Sequence, residues 1–276
     1  MKKIILIDGH ALIFRMYYAF LRRPMINSKK TDTSILYGFT RALLDLIIKE
    51  EPTHIGVAFD PPSPTFRHKI YPEYKANRSE TPELIKESLE PLIEILNSLS
   101  IPVLMKPGFE ADDVIGTLAK EAAKDISSLV YMVTPDKDYG QLVQKNIFQL
   151  KPLKTGYFQI IDQNHICEQY QIKDPKQVID ILTIWGDSSD NIPGVKGVGE
   201  IGSKKLIAQF GSIENIYSSL DMLSAKQREA FEEAKSYIQL SKQLVTIDLN
   251  VPIEWSLEQL KLDSLNLDSF QKLIEF

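Results

Sequence analysis

Four runs in the first half of the chain are apolar or β-branched with little interruption: "KIILI" (3–7), "HIGVAF" (54–59), "PVLMK" (102–106) and "LVYMVT" (129–134). Continuous runs of this length, without polar alternation, are expected of strands buried on both faces of a parallel sheet. Between them the spacing becomes helical. One helix is expected over Ser34–Glu50. Another opens at "TPEL", with Thr81 as N-cap and Pro82 at the first helical position, and Pro91 inside it predicts a kink or a break. A third opens near Glu110, where Ala111, Val114, Ile115, Leu118, Ala119 and Ala122 form one buried stripe. Strand and helix in alternation predict an α/β fold with a mostly parallel central sheet flanked by helices, over residues 1–162. From about residue 164 the texture is helical with short Gly-rich joints, as in "DPKQVIDILTIWG" and "GEIGSKKLIAQFG". A C-terminal helical subdomain, 163–276, is expected there.

The acids change the picture. Asp8 follows the first strand, Asp60 the second, and Asp136 and Asp138 the fourth. Ligands of open parallel sheets bind outside the carboxyl ends of the strands, so these residues converge on one crevice. The helix after the third strand adds Glu110 and Asp112; Asp113 points nearly opposite on the helical wheel. Asp187 and Asp190 follow in "GDSSDN". Singly, each acid reads as an N-cap or a helix-dipole partner. Together they repel unless cations neutralise them. Hard oxygen donors select Mg²⁺ or Mn²⁺. Two such ions about 4 Å apart suit phosphodiester hydrolysis.

Composition bounds the alternatives. Cys167 is the only cysteine, so a disulfide framework and a thiolate zinc site are excluded, and His10, His54, His68 and His165 are scattered. The N-terminus offers neither a signal h-region nor a membrane span, so a cytoplasmic protein is expected. The net charge of −5 turns positive once the nine clustered acids are set aside, as for a basic surface around a cation-filled centre.

Two further stretches suit nucleic acid. "GVKGVG", with Gly194, Gly197 and Gly199, joins two helices and sits among Lys196, Lys204 and Lys205. Its backbone N–H groups and the helix N-terminus that follows suit phosphates, and such a grip holds backbone without reading bases. "FRHKIYPEYKANR" (66–78) interleaves Arg67, Lys69, Lys75 and Arg78 with Phe66, Tyr71 and Tyr74, a composition that tracks phosphates and stacks bases of a single strand.

"LIDGHALIFR", "AFDPPSPTFRHKIYPEYKANR", "GFEADDVIGTLA", "TPDKDYGQL" and "GDSSDNIPGVKGVGE" resemble the 5′-nuclease (5′-3′ exonuclease) domain family of bacterial DNA polymerase I and, more distantly, phage 5′ nucleases and flap endonucleases. The resemblance implies a PIN-like core with an arch segment at about 62–100 and a helix–hairpin–helix at about 175–211. It implies a structure-selective 5′-3′ exonuclease and 5′-flap endonuclease acting in DNA replication and repair on flaps, nicks and free 5′ ends. Its cofactors are two Mg²⁺, replaceable by Mn²⁺, with K⁺ at the hairpin. By this resemblance Asp8, Asp60, Glu110 and Asp112 form the first metal site and Asp136, Asp138 and Asp190 the second. Asp113 and Asp187 complete the cluster, and Lys75 and Arg78 steer the scissile phosphate. The family often has Lys then Thr after "GVGE", where this chain has Ile201 and Gly202; Lys204 and Lys205 are the replacements expected. The expected protein is a monomer in the bacterial cytoplasm, at the nucleoid, either a stand-alone nuclease or a domain joined to polymerase domains. The competing expectation is a non-catalytic branched-DNA binding module of a polymerase. A haloacid-dehalogenase-type phosphatase also starts strand–Asp but wants a second Asp where His10 stands. A PIN-type ribonuclease would not need the helical subdomain.

Overall fold

The computed structural model describes residues 1–153, 157–262 and 264–274. In chain order the first half holds β1 (Lys2–Asp8), α1 (Gly9–Phe20), α2 (Ser34–Glu50), β2 (His54–Ala58), α3 (Phe66–Ile70), α4 (Glu83–Ser98), β3 (Val103–Leu104), α5 (Ala111–Ala122), β4 (Ser128–Val133), β5 (Ile147–Pro152) and β6 (Phe158–Ile161). The sheet order is β3-β2-β1-β4-β5-β6, parallel except for β6, which runs antiparallel to β5. The chain leaves β1 for β2 on one side and joins β4 on the other. The carboxyl ends of β1 and β4 therefore bound the point where the winding reverses, the usual place for a ligand crevice.

The uninterrupted apolar runs have a direct cause. On β1, Ile4 and Leu6 pack on one side of the sheet with α5 residues such as Val114 and Leu118. Ile5 and Ile7 pack on the other with Ile13 of α1, Phe39 of α2 and Leu92 of α4. Both faces are covered, so both phases of the alternation are apolar.

Beyond the sheet lie α6 (Gln163–Tyr170), α7 (Gln177–Trp185), α8 (Glu200–Phe210), α9 (Ile213–Tyr217), α10 (Ala225–Ala234), α11 (Ile238–Val245) and α12 (Leu267–Ile274). Lys242 Nζ of α11 reaches Asp180 Oδ1 of α7 at 2.8 Å and Glu214 Oε1 of α9 at 2.7 Å. No helix among the described residues is long and apolar enough to cross a membrane.

The structure departs from the sequence expectations in three places. α4 runs through Pro91 as one uninterrupted helix. The carbonyl that Pro91 leaves without its helical donor belongs to Glu87, an exposed residue, where water can solvate it. The start of that helix lies one residue later than expected, with Pro82 itself as N-cap. The sheet also has two more strands than the four runs imply, β5 and β6, and a helix, α1, directly after Asp8.

Candidate active site

Asp8 ends β1 and is the N-cap of α1. Its Oδ1 accepts from Ala11 N at 2.9 Å and its Oδ2 from Thr134 Oγ1 at 3.0 Å, which binds the ends of β1 and β4 together. Asp60, two residues past β2, accepts from Ala111 N at 2.7 Å, the first amide of α5. Tyr139 OH, in the 3-10 turn Lys137–Leu142 after β4, reaches Asp112 Oδ1 at 3.4 Å. Asp136 caps that turn through Asp138 N at 2.9 Å.

One cavity of about 680 Å³ is lined by Asp8, Asp60, Asp112, Asp136, Asp138 and Asp190. Lys75, Arg78 and the α1 residues His10, Phe14 and Tyr18 line it as well. Burial pushes the Asp8 carboxyl up to about 7, helped by Asp60 and Asp136 and opposed by its hydrogen bonds. Burial also holds Asp112 well above the usual carboxylate range, with Asp136, Glu110, Asp8 and Asp60 adding repulsion. Asp138 is pushed up to about 7 by burial and by Asp136, against the pull of Lys137.

Three cationic side chains offset part of this charge. Lys75 Nζ sits 2.8 Å from Glu110 Oε1. The Arg78 guanidinium pairs with Asp190 Oδ1. Lys137 Nζ lies 2.5 Å from Asp187 Oδ2 and 3.4 Å from Asp138 Oδ1. The segment carrying Lys75 is strapped to the 187–191 loop by Lys75 N to Asp190 O (2.9 Å), Asn77 Nδ2 to Ser188 O (2.6 Å) and Asn191 Nδ2 to Glu73 O (2.8 Å).

Asp112 and the other lining acids gather as the sequence suggests, but several expected residues lie elsewhere. Asp113 is fully buried away from the cavity. Its Oδ2 and Oδ1 accept from Arg67 Nη1 and Nη2 at 2.7 and 2.9 Å. The expectation of Asp113 as a metal ligand is therefore corrected, and so is that of Arg67 as a DNA contact: Arg67 is 2 % exposed. Its charge is held by Asp113 against the cost of burial. Tyr74 is 4 % exposed, with its OH on Glu110 Oε2 and Asp190 Oδ2, so no ring face is free to stack a base. Glu110, also buried, is spent on Lys75 and Tyr74. Asp187 caps its own loop through Ser189 N at 2.8 Å and faces Lys137 rather than the cavity. Lys69, Lys196 and Lys205 are exposed, whereas Lys204 pairs with Glu200 at 2.7 Å and lies over the Tyr170 ring.

The hairpin 193–199 crosses back over the end of α7, with Val195 N donating to Ile184 O at 2.7 Å. Gly197 has φ +77, a left-handed turn that favours glycine, and Gly199 is the N-cap of α8. Lys196, Gly197 and Gly199 are exposed at the tip.

Sequence reasoning missed Phe14 and Tyr18. With His10 they repeat at four-residue spacing on α1, a signal that was available in "HALIFRMYY". It also missed Lys137, which sits between two acids in "DKD".

The donor set fits a hard divalent cation. It is all carboxylate, and burial, with repulsion among its members, holds Asp8, Asp112 and Asp138 above the carboxylate range. Among the described residues Asp138 Oδ1 is buried with no hydrogen-bond partner, and Lys137 Nζ lies 3.4 Å from it. Among the described residues no three acids, histidines or cysteines stand close enough to form a finished cage.

An acid-lined crevice at the winding reversal of a parallel sheet, closed by a helical half with a Gly-rich hairpin, is the layout of a nuclease of the 5′ type. The chain belongs to the 5′-3′ exonuclease family: residues 3–171 match its N-terminal resolvase-like domain and 173–268 its C-terminal SAM fold. It is 39% identical to DNA polymerase I of Bacillus subtilis (strain 168) over 268 residues, covering 96% of this chain and 30% of that protein. It is 36% identical to thermostable DNA polymerase I of Thermus thermophilus, covering 99% and 32%. The chain thus spans about a third of the length of these relatives. In fold it is similar to the 5′-exonuclease of bacteriophage T5 with bound zinc (TM-score 0.73, 21% identity, 99% of each chain). It is also similar to the catalytic core of Rad2 in complex with DNA substrate (TM-score 0.58, 16% identity, 99% and 87%).

Proposed function

We propose that this chain is a structure-selective 5′-3′ exonuclease and 5′-flap endonuclease that hydrolyses DNA phosphodiesters with two divalent cations, Mg²⁺ or, in its place, Mn²⁺. The observation that carries this reading is the cavity lined by six aspartates from five chain segments together with Lys75 and Arg78. The T5 structures with metal ions, one of them a flap endonuclease complex with DNA, support it.

Asp8, Asp60 and Asp112 would hold one cation, with Glu110 joining if Lys75 withdraws. Asp136, Asp138 and Asp190 would hold the second. Bound there, such ions supply Lewis acidity and activated water. The chain's own residues do the rest. Lys75 and Arg78 leave Glu110 and Asp190 to orient the scissile phosphate. Lys196, with the Gly197 and Gly199 backbone, holds duplex phosphates away from the chemistry, with K⁺ as a further bridge at that turn. Exposed Lys69 adds to the basic rim. The activity belongs to primer removal and repair in the bacterial cytoplasm, by a monomer, whether the nuclease stands alone or is joined to polymerase domains in a longer chain.

The test is a single-turnover assay on a 5′-labelled flap duplex, in Mg²⁺ and in EDTA. Cleavage near the junction only with metal is expected, and Asp112→Ala abolishes it while flap binding in Ca²⁺ persists. Equal cleavage by Asp112→Ala sinks the reading. The second reading, a non-catalytic branched-DNA module, draws on the cationic side chains already paired within the acid cluster. It predicts tight flap binding with no product in Mg²⁺ or Mn²⁺.

A further inference from the structure

The Arg67–Asp113 pair does more than fill the core. The guanidinium holds Asp113 with two hydrogen bonds, donates from Nε to Leu244 O at 2.9 Å and from Nη2 to Thr246 O at 2.9 Å. Asp113 also accepts from Asp248 N at 2.8 Å. Three segments far apart in sequence meet there: α3, α5 and the stretch 244–248 that leaves α11. Gln141 also fastens this stretch, through Val245 O and Ile247 N, each at 3.0 Å.

The pair also reaches the crevice. Glu110 N donates to Asp113 Oδ2 at 3.0 Å, which fixes the N-cap of α5. Arg67 Nη1 lies 3.6 Å from Glu110 Oε2, behind the carboxylate that faces Lys75. Asp112 lies between Glu110 and Asp113 in sequence, so its direction is set by the same turn. A two-pronged contact fixes angle as well as distance, which a single ammonium does not.

From this geometry we infer that Arg67 and Asp113 form one positioning unit, which aims Glu110 and Asp112 for the divalent cation and makes their aim depend on how the helical half is seated. Neither residue touches the cation or the DNA. The inference rests on the divalent-cation reading of the crevice.

The experiment titrates the chain with Mn²⁺ alone by calorimetry and measures flap binding in Ca²⁺ and single-turnover cleavage at saturating Mn²⁺. The variants are Arg67→Lys, Asp113→Asn and their double, with Ile216→Val, a shortening in the α9 core, as a destabilised control. Positioning predicts Mn²⁺ affinity lower by about tenfold or more in each single variant. It predicts little further loss in the double, unchanged flap affinity, and a full Mn²⁺ affinity in Ile216→Val. Mn²⁺ affinity within twofold of the unmodified chain, with only the melting temperature lowered, overturns the proposal. If Arg67→Lys does not fold, Asp113→Asn, which keeps shape and one acceptor, decides by the same criterion. An unmodified chain that binds no Mn²⁺ overturns the crevice reading and this inference with it. A binding unmodified chain with binding variants overturns only the inference.

Discussion

Gly194→Ala tests whether the hairpin is a fixed part of the fold. An added Cβ would stand 2.5 Å from Trp185 C, 2.7 Å from Gly186 N, and closer still to the Trp185 carbonyl oxygen. All three are backbone atoms at the end of α7, so no side chain can swing aside. Restoring ordinary contact requires the hairpin to lift by about 1 Å. That strains Val195 N to Ile184 O at 2.7 Å, and the anchors Ser241 Oγ to Pro193 O at 2.7 Å and Tyr237 OH to Gly194 O at 3.1 Å. Overpacking costs about 1–3 kcal/mol, and each weakened hydrogen bond about 1 kcal/mol. A total of about 3 kcal/mol corresponds to a melting temperature lower by roughly 6–12 °C for a chain of this size. Gly199→Ala is the control: its φ is −88 and nothing lies within 4 Å of an added Cβ, so its melting temperature should barely move. Thermal melts read the stability, and flap binding in Ca²⁺ reads the grip, which should weaken with Gly194→Ala. Equal melting of the two variants refutes the reasoning.

Further predictions concern charge. Burial pushes the Asp138 carboxyl from its ordinary 3.8 up to about 7, so it destabilises the metal-free fold progressively as pH rises from about 4 through 7. In EDTA, Asp138→Asn should therefore melt higher than the unmodified chain at pH 8 and equally at pH 4; a difference independent of pH contradicts this. Mn²⁺ binding should release protons at pH 7, because Asp8 and Asp138 are partly protonated there; calorimetry in two buffers of different ionisation enthalpy checks it. Lys75→Ala should tighten Mn²⁺ binding several-fold, since Lys75 competes for Glu110 at 2.8 Å, yet slow cleavage more than it weakens duplex binding. Lys196→Ala should weaken DNA binding evenly across sequences and lower the salt slope by about one; a base-dependent effect would argue against a backbone grip.

The sheet was legible where chemistry and position coincide. The β1, β2 and β4 runs are apolar in both phases because both faces are covered, and the acids that follow them had to reach the carboxyl edge. β5 and β6 were not legible. "IFQLKP" and "FQII" carry Gln149, Lys151 and Gln159 among the apolar positions, and β6 is an edge strand with Ile160 exposed. Within the site, helical spacing separates Asp112 from Asp113 but does not say what Asp113 meets. Its partner, Arg67, is 46 residues away, in a segment whose composition is that of a DNA-binding surface. Tyr74 was misread for the same reason. Rings and cations in one stretch look alike whether they face solvent or a buried acid, and only the tertiary partner distinguishes them.

Three acids open α5, and the structure gives each a different neighbour. Asp113 turns inward to Arg67, Glu110 is covered by Lys75 and Tyr74, and Asp112 alone faces the cavity with its charge unmet. The like charge at the helix mouth is thus divided among a buried ion pair, a surface-closing ion pair and an open ligand position. The favourable N-terminal end of the helix dipole supports all three. Lys75 and Arg78, the side chains suited to a scissile phosphate, are the counter-ions of Glu110 and Asp190 in the metal-free chain. Charge balance then couples two events. On the proposed function, a divalent cation that neutralised those carboxylates would remove the attraction holding Lys75 and Arg78 and free them for phosphate. The Mn²⁺ affinity of Lys75→Ala measures that exchange directly, because it reports how much of the ion's binding energy goes into displacing one ammonium.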